Sequence, residues 1–254
     1  MLIEKAARDL AAARNVVALT GAGISIGSGI PPFRGKGGLW EKFDPMQYAS
    51  IDAFMADPEK VWREFIGELK VVIDNAQPNA AHMALARLER LGMLHTVITQ
   101  NVDGLHQAAG NTTVIEFHGT FTRQRCTDCA ALSATRDVDL SRLPPRCWCG
   151  GVLRPDWVFF GEMIPSVELD RARQSAAGCD LMLVIGTSAL VQPAAYLPVI
   201  AREASARVIE INAEATPLTA SVSDYLIQGK AEAMLDQILG ALEALRPDGP
   251  PHPG

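Results

Sequence analysis

The sequence predicts an α/β protein, a Rossmann-like parallel sheet domain with a smaller module beside it. Three observations predict it: six short apolar runs with the look of buried strands, helical patterns between most of them, and glycines at 21, 23, 104, 119, 161 and 186 at or near run ends. Strands alternating with helices imply a mostly parallel sheet covered on both faces, which binds ligands at the carboxyl ends of its strands.

In chain order, an amphipathic helix over Ile3 to Ala13 precedes a strand, Asn15-Val-Val-Ala-Leu-Thr20, that ends in Gly21-Ala-Gly23. Phe43 to Asp74, rich in aromatics and helix formers, breaks the alternation as a helical insertion. Asn79 can cap a helix over Ala80 to Leu91 that Gly92 ends. The strands at His95 to Thr99 and Thr113 to Phe117 follow, and then Thr120 to Leu153, which carries four of the five cysteines. Later strands are expected at Leu181 to Ile185, Ala206 to Ile211 and Tyr225 to Gln228, with helices over Ala194 to Ala204 and Ala231 to Leu245. Residues 1–42, 75–119 and 154–245 are thus assigned to the Rossmann-like domain. Residues 43–74 and 120–153 form the small module, and the Pro/Gly-rich residues 246–254 a disordered tail.

Composition narrows the function. In 254 residues, 48% hydrophobic side chains suffice for one substantial core. A net charge of −6 without a basic block argues against a nucleic-acid binder, since phosphate binding needs clustered Lys and Arg. Charges interrupt the apolar residues of the N-terminus, unlike a signal peptide, and no run reaches the roughly 18 apolar residues of a membrane span. A cytoplasmic protein without membrane or nucleic-acid partners is expected.

The cysteines point to a metal. Cys126-Thr-Asp-Cys129 and Cys147-Trp-Cys149, with 17 residues between them (130 to 146), have the two-pair layout of a structural zinc site. Four thiolates would fill a tetrahedron and leave no open position, so the metal would build structure. Cys179, just before a strand, reads as a core residue.

Gly21-Ala-Gly-Ile-Ser25 after the first strand is a phosphate or dinucleotide loop, or else an ordinary strand-to-helix turn. Ile26 stands where the dehydrogenase fingerprint needs Gly or Ala, which disfavours a hydride-transfer site. Gly23-Ile-Ser-Ile-Gly27 also matches a hydrolase nucleophile elbow, with Asp103 and His118 in triad order, but the elbow normally follows a central strand and not the first. Thr99-Gln-Asn-Val-Asp-Gly-Leu-His106 sets an amide pair and a carboxylate at a strand end, and His118 of Phe117-His-Gly119 occupies the equivalent place after the next strand. His118 could act as a general base near neutral pH, whereas His106 reads as a helix-facing residue without a catalytic part. His82 and His95 have no supporting neighbours in sequence.

Taken together these residues resemble the sirtuin family of NAD-dependent protein deacylases, of bacterial type, over nearly the whole chain from Leu2 to Leu245. Gly21-Ala-Gly-Ile-Ser25 with Ser28-Gly-Ile-Pro31 and Phe33-Arg-Gly35 resembles the cofactor loop, Thr99-Gln-Asn-Val-Asp103 the nicotinamide and ribose motif, and Phe117-His-Gly119 the catalytic histidine motif. Pro155-Asp-Trp-Val-Phe-Phe-Gly-Glu162 is similar to the substrate segment, Gly186-Thr-Ser188 to the adenosine-side loop, and Ile211-Asn-Ala-Glu214 to the strand end at the adenine ribose. The resemblance implies structural Zn2+ on Cys126, Cys129, Cys147 and Cys149, and NAD+ consumed as co-substrate. It implies catalytic His118, Asn101 and Asp103, and a cofactor site of Gly21, Ala22, Gly23, Ser25, Ile26, Phe33, Arg34, Gln100, Asn101, Val102, Asp103, Gly186, Thr187, Ser188, Asn212, Glu214 and Ala231. An acyl-lysine protein or peptide would bind along Val158, Phe159, Phe160, Gly161 and Glu162, and the enzyme is expected to be a monomer.

In the implied reaction the acyl-lysine carbonyl oxygen attacks C1′ of the nicotinamide ribose and nicotinamide leaves. Asn101 and Asp103 would hold the nicotinamide amide and Gln100 a ribose hydroxyl, while Phe33 covers the reactive face. His118 would deprotonate the ribose so that its hydroxyl attacks the acyl carbon; water completes transfer to ADP-ribose. The extended Trp157-Val-Phe-Phe160 run suits pairing with a peptide as an added strand.

The chain departs from the family pattern in three places. Pro32 replaces the usual Asp before Phe-Arg, Ile26 removes a side-chain hydroxyl near the phosphates, and Phe65 and Glu68 stand where desuccinylating members carry Tyr and Arg, which favours deacetylation. ADP-ribosyl transfer and a non-catalytic ADP-ribose sensor are the rival readings. Gln100, Asn101, Asp103 and His118 together favour the deacylase.

Overall fold

The computed structural model describes residues 1–35 and 37–245; the expected tail at 246–254 lies outside the described residues. Six parallel strands form the large sheet: β1 (Val16–Thr20), β2 (Leu94–Thr99), β3 (Val114–Glu116), β7 (Leu181–Ile185), β8 (Arg207–Asn212) and β9 (Tyr225–Gln228), in the order β3-β2-β1-β7-β8-β9. All five residues of β1, and all five of β7, are buried, as uninterrupted apolar runs require in a sheet covered on both faces. The helices Leu2–Ala12, Ala80–Arg90 and Ala231–Ala244 cover one face through Leu10, Leu85, Leu88, Leu235 and Ile238. Ser166–Gly178 and Leu197–Glu203 cover the other through Ala172, Ala176, Leu197 and Ala201. Chain order reverses between β1 and β7, which creates the crevice where such sheets bind ligands.

All six expected strands and the four expected helices are present to within a few residues, although Ala194–Tyr196 opens its helix as a 3-10 turn. Asn79 caps the Ala80–Arg90 helix by accepting from Ala81 N at 2.9 Å, and Gly92 follows at φ +69°. The helix Ser166–Gly178 was not expected.

The small module pairs the helices between Leu39 and Asn75 with an antiparallel sheet of β5 (Leu132–Ala134), β4 (Gly119–Cys126) and β6 (Leu153–Trp157), ordered β5-β4-β6. Phe43, Phe54, Trp62, Phe65, Phe121, Trp157 and Phe159 form its core, and the Trp62 indole donates to Leu153 O at 2.9 Å. One expectation needs correction: residues from 154 were assigned to the large domain, yet Arg154 to Trp157 pair with β4 in the small sheet. Their alternation of buried Leu153, Pro155 and Trp157 with less buried Arg154 and Asp156 is that of a strand with one face on a core, unlike the unbroken burial of β1.

Candidate active site

A cleft of about 970 Å³ opens at the carboxyl ends of the large sheet and reaches the small module. The glycines at its base have a packing role. Gly21 N donates to Ile185 O at 3.0 Å and Gly23 N to Gly186 O at 2.7 Å, drawing the ends of β1 and β7 together. A Cβ on Gly23 would lie 2.6 Å from Gly186 Cα, and one on Gly186, at φ +59°, 2.4 Å from Ile24 N, so neither position accepts a side chain. Ala22 to Ser28 then wind into 3-10 turns, with Ala22, Gly23 and Ile26 on the cleft wall.

The segment after β2 supplies a polar cluster. Gln100 lies on the wall, its Nε2 donating to Thr187 Oγ1 at 3.0 Å. Asn101, also on the wall, donates from Nδ2 to Gly21 O and Ser25 Oγ, both at 3.1 Å. Ser25 Oγ donates to Asp103 Oδ2 at 2.7 Å, and Leu105 N to Asp103 Oδ1 at 3.0 Å. Ser25 and Asp103 do not line the cleft; they stand behind Asn101 and fix its amide. Loss of hydration raises the Asp103 carboxyl above its ordinary value, against the hydrogen bonds from Leu105 N, Ser25 Oγ and its own main chain that lower it.

His118 follows β3 and lines the same cleft. Its Nδ1 lies 3.1 Å from Gln100 O, so in the tautomer that donates this bond Nε2 keeps its lone pair. Burial holds its pKa below the ordinary histidine value, and the ring is a neutral base at pH 7.

The other expected site residues on the wall are Phe33, Arg34 and Val102, Gly186, Thr187 and Ser188 after β7, Asn212 and Glu214 after β8, and Val158 to Glu162 after β6. Ala231 is not among them: it begins the last helix with its side chain in the large core. The run after Trp157 is less open to an added strand than its sequence implies. Val158 N donates to His118 O, Phe160 N to Ala49 O and Phe159 N to the Glu162 carboxylate, all at 2.9 Å, so three of its donors are already engaged.

Sequence reasoning missed Trp40, Leu69, Met163, Leu190, Val191 and Pro193, which also line the cleft. None belongs to a motif, and only the aromatic richness of the insertion hinted at Trp40. Phe65 lines the cleft from a π-helical turn, Trp62–Ile66, whereas Glu68 faces away, paired with Lys42.

His106 is structural, as expected: its Nε2 lies 2.9 Å from Thr20 Oγ1, and its ring meets that of His82 edge-on at 5.0 Å. His82 does have neighbours, which only the fold brings together. Its Nδ1 accepts from Asn79 N at 3.3 Å, and its Nε2 is 3.5 Å from Ser25 Oγ. Burial lowers His82 to about 4 and His106 to about 3.

At the far end of the small module the Sγ atoms of Cys126, Cys129, Cys147 and Cys149 lie within 4.8 Å of one another, with contacts of 3.5 Å (126 to 149), 3.8 Å (129 to 147) and 3.5 Å (149 to 129). A tetrahedron with Zn–S bonds of about 2.3 Å has edges of about 3.8 Å, so the four thiols fit zinc in spacing and chemistry. Cys179 is buried, its thiol donating to Ala176 O at 3.2 Å.

A parallel sheet with its cleft at the β1/β7 reversal, a glycine-crossed loop and a four-thiol metal module define a Rossmann-type protein with a site for an extended nucleotide. The chain belongs to the Sir2 family, whose model matches residues 21–193. It is 47% identical over 237 residues to NAD-dependent protein deacylase 1 of Archaeoglobus fulgidus, covering 93% of this chain and 96% of that one. It is also 47% identical over 231 residues to NAD-dependent protein deacylase 2 of Pyrobaculum aerophilum, covering 91% and 92%. These matches do not single out the bacterial type expected above. A solved Sir2 homologue in complex with NAD superposes with a TM-score of 0.89 at 45% identity, covering 95% of this chain and 94% of that one. A Sir2 complex with a p53 peptide and NAD+ superposes with a TM-score of 0.87 at 35% identity, covering 94% and 98%. Among the described residues, no helix is long and apolar enough to cross a membrane.

Proposed function

We propose that the protein is an NAD+-dependent protein-lysine deacylase, with acetyl-lysine as its preferred substrate, that releases nicotinamide and transfers the acyl group to ADP-ribose. The observation that carries this reading is the neutral His118 imidazole, held through Gln100 O on the same cleft wall as the Asn101 amide.

A cationic nicotinamide is a good leaving group, so its departure needs orientation more than acid catalysis. Asn101, fixed by Gly21 O and Ser25 Oγ, orients the nicotinamide amide, and Asp103 holds that arrangement through Ser25. Gln100 binds a ribose hydroxyl. The acyl carbonyl oxygen forms the new bond to C1′ as the bond to nicotinamide breaks, and Phe33 shields the exposed face. The Nε2 lone pair of His118 then accepts the ribose hydroxyl proton, so that this oxygen adds to the acyl carbon; the lysine amine departs with a proton, water adds to the same carbon, and the bond from that carbon to the C1′ oxygen breaks, leaving the acyl group on the ribose hydroxyl. Thr187, Ser188, Asn212 and Glu214 receive the adenosine half. The acylated peptide lies against Val158 to Glu162, using main-chain groups that the segment has not already committed. Cys126, Cys129, Cys147 and Cys149 would hold zinc as four thiolates, a closed site that would build structure and take no part in the reaction.

The acyl preference rests on Phe65 and Glu68. An acidic acyl group needs a cation at the cleft end, and Phe65 presents an apolar ring there while Glu68 is tied to Lys42. The reading includes a cytoplasmic monomer acting on acyl-lysine proteins, without nucleic-acid or membrane partners; net charge −6 is consistent with that. The test is mass spectrometry of an acetyl-lysine peptide with and without NAD+. NAD+-dependent loss of the acetyl mass with formation of O-acetyl-ADP-ribose is expected. An unchanged acetyl-peptide with nicotinamide released would instead favour ADP-ribosyl transfer or another acyl group.

A further inference from the structure

Glu210 lies within β8, 1% exposed, in register with Val184 of β7 in an otherwise apolar layer. Its carboxyl oxygens have two partners, both hydroxyls: Thr216 Oγ1 donates to Oε1, and Thr219 Oγ1 donates to Oε2 at 2.6 Å. Each hydroxyl also accepts from the main chain. Thr219 Oγ1 takes Thr216 N at 2.9 Å, and Thr216 Oγ1 takes Leu218 N at 3.1 Å. Residues 216–219 are thereby wound around one buried carboxyl group. The stretch Ala213 to Pro217, which includes Glu214 and ends in this network, forms part of the cleft wall beside Asn212.

Burying a carboxyl group is unfavourable unless its bonds are made, and a leucine would serve the apolar layer as well. What the carboxyl adds is a fixed loop. We propose that Glu210 is a positioning residue for NAD+: without touching the dinucleotide, it holds the 213–219 loop in the shape that receives the adenosine half. This inference rests on the reading that the cleft binds NAD+.

Two variants test it, Glu210→Leu, which keeps the layer apolar, and Thr219→Val, which removes one hydroxyl. NAD+ and ADP-ribose affinity are measured by calorimetry, beside kcat, both KM values and thermal stability. Glu210→Leu should weaken dinucleotide binding and raise KM for NAD+ about tenfold, the scale of a lost hydrogen bond. Thr219→Val should do so about threefold, on the same scale. In both, kcat at saturating NAD+ and KM for the acyl-peptide should stay near wild type, and Glu210→Gln should recover part of the affinity. Wild-type affinity in both variants overturns the inference, whether or not stability falls, because a purely structural role lowers stability alone. If Glu210→Leu fails to fold, Thr219→Val decides. Wild-type protein that does not bind NAD+ overturns the functional reading itself, and the inference with it.

Discussion

The large sheet and the outer end of the small module hold together by different means. β1 and β7 are buried along their whole length, between helices on both faces, and nothing but apolar packing and parallel pairing is needed there. Beyond the aromatic cluster, the outer end of β4 and β6 has a buried group of only Cys126, Cys147 and Leu153, with Ala131 and Val138 against it. Burial at about 25 cal/mol per Å² cannot fix so small a group, and four thiols stand where a core is missing. The cleft lies between the large sheet and the aromatic core of the small module, so packing sets its floor and its opposite wall alike.

The largest effect should come from the thiols. Replacing Cys126 or Cys147 by Ser, or stripping zinc with a chelator, removes a binding energy that reaches about 10 kcal/mol in zinc-dependent folding. Hydrogen exchange should then show protection lost in residues 119–157 but kept in Val16 to Thr20 and Leu181 to Ile185. Equal loss in both would mean that the two regions fold as one.

Next is acid sensitivity, which belongs to the large domain. Burial lowers His82 to about 4 and His106 to about 3, so the unfolded chain takes up their protons first as pH falls. Their contribution to stability is complete above the ordinary histidine pKa of about 6.5 and is lost as pH falls towards their folded values, for His82 about 3 kcal/mol by pH 4. Urea unfolding at pH 7 and pH 4.5 should show this loss, and His82→Gln should show a shallower one. A smaller effect is expected from Gly186→Ala, which sets a Cβ against Ile24 N at φ +59° and should cost at least about 2 kcal/mol and weaken NAD+ binding. Trp148, 87% exposed between two thiols, should matter least: Trp148→Ala should leave melting and turnover within about 0.5 kcal/mol of wild type.

The sequence made the large sheet legible because uninterrupted apolar runs and caps such as Asn79 are local signals. The helix Ser166–Gly178 was not, since its buried residues, Ala172 and Ala176, are too small to mark a face. Residues 154–157 were assigned to the large domain because a segment's pairing partner, here β4, is a long-range fact. Of the site, Gln100, Asn101, His118 and the four cysteines could be read from motifs. The contacts of His82 with Asn79, Ser25 and His106, and the cleft walls at Trp40, Leu69 and Leu190, could not, because they join distant segments through unremarkable residue types.

The central claim is that His118 acts after nicotinamide leaves. The most direct test compares wild type with His118→Ala, following exchange of labelled nicotinamide into NAD+ in the presence of acetyl-peptide alongside release of deacetylated peptide. The variant should fold normally and still exchange nicotinamide, while deacetylation falls by about 10² to 10⁴, the range of a lost general base. Deacetylation by His118→Ala at the wild-type rate would contradict the account.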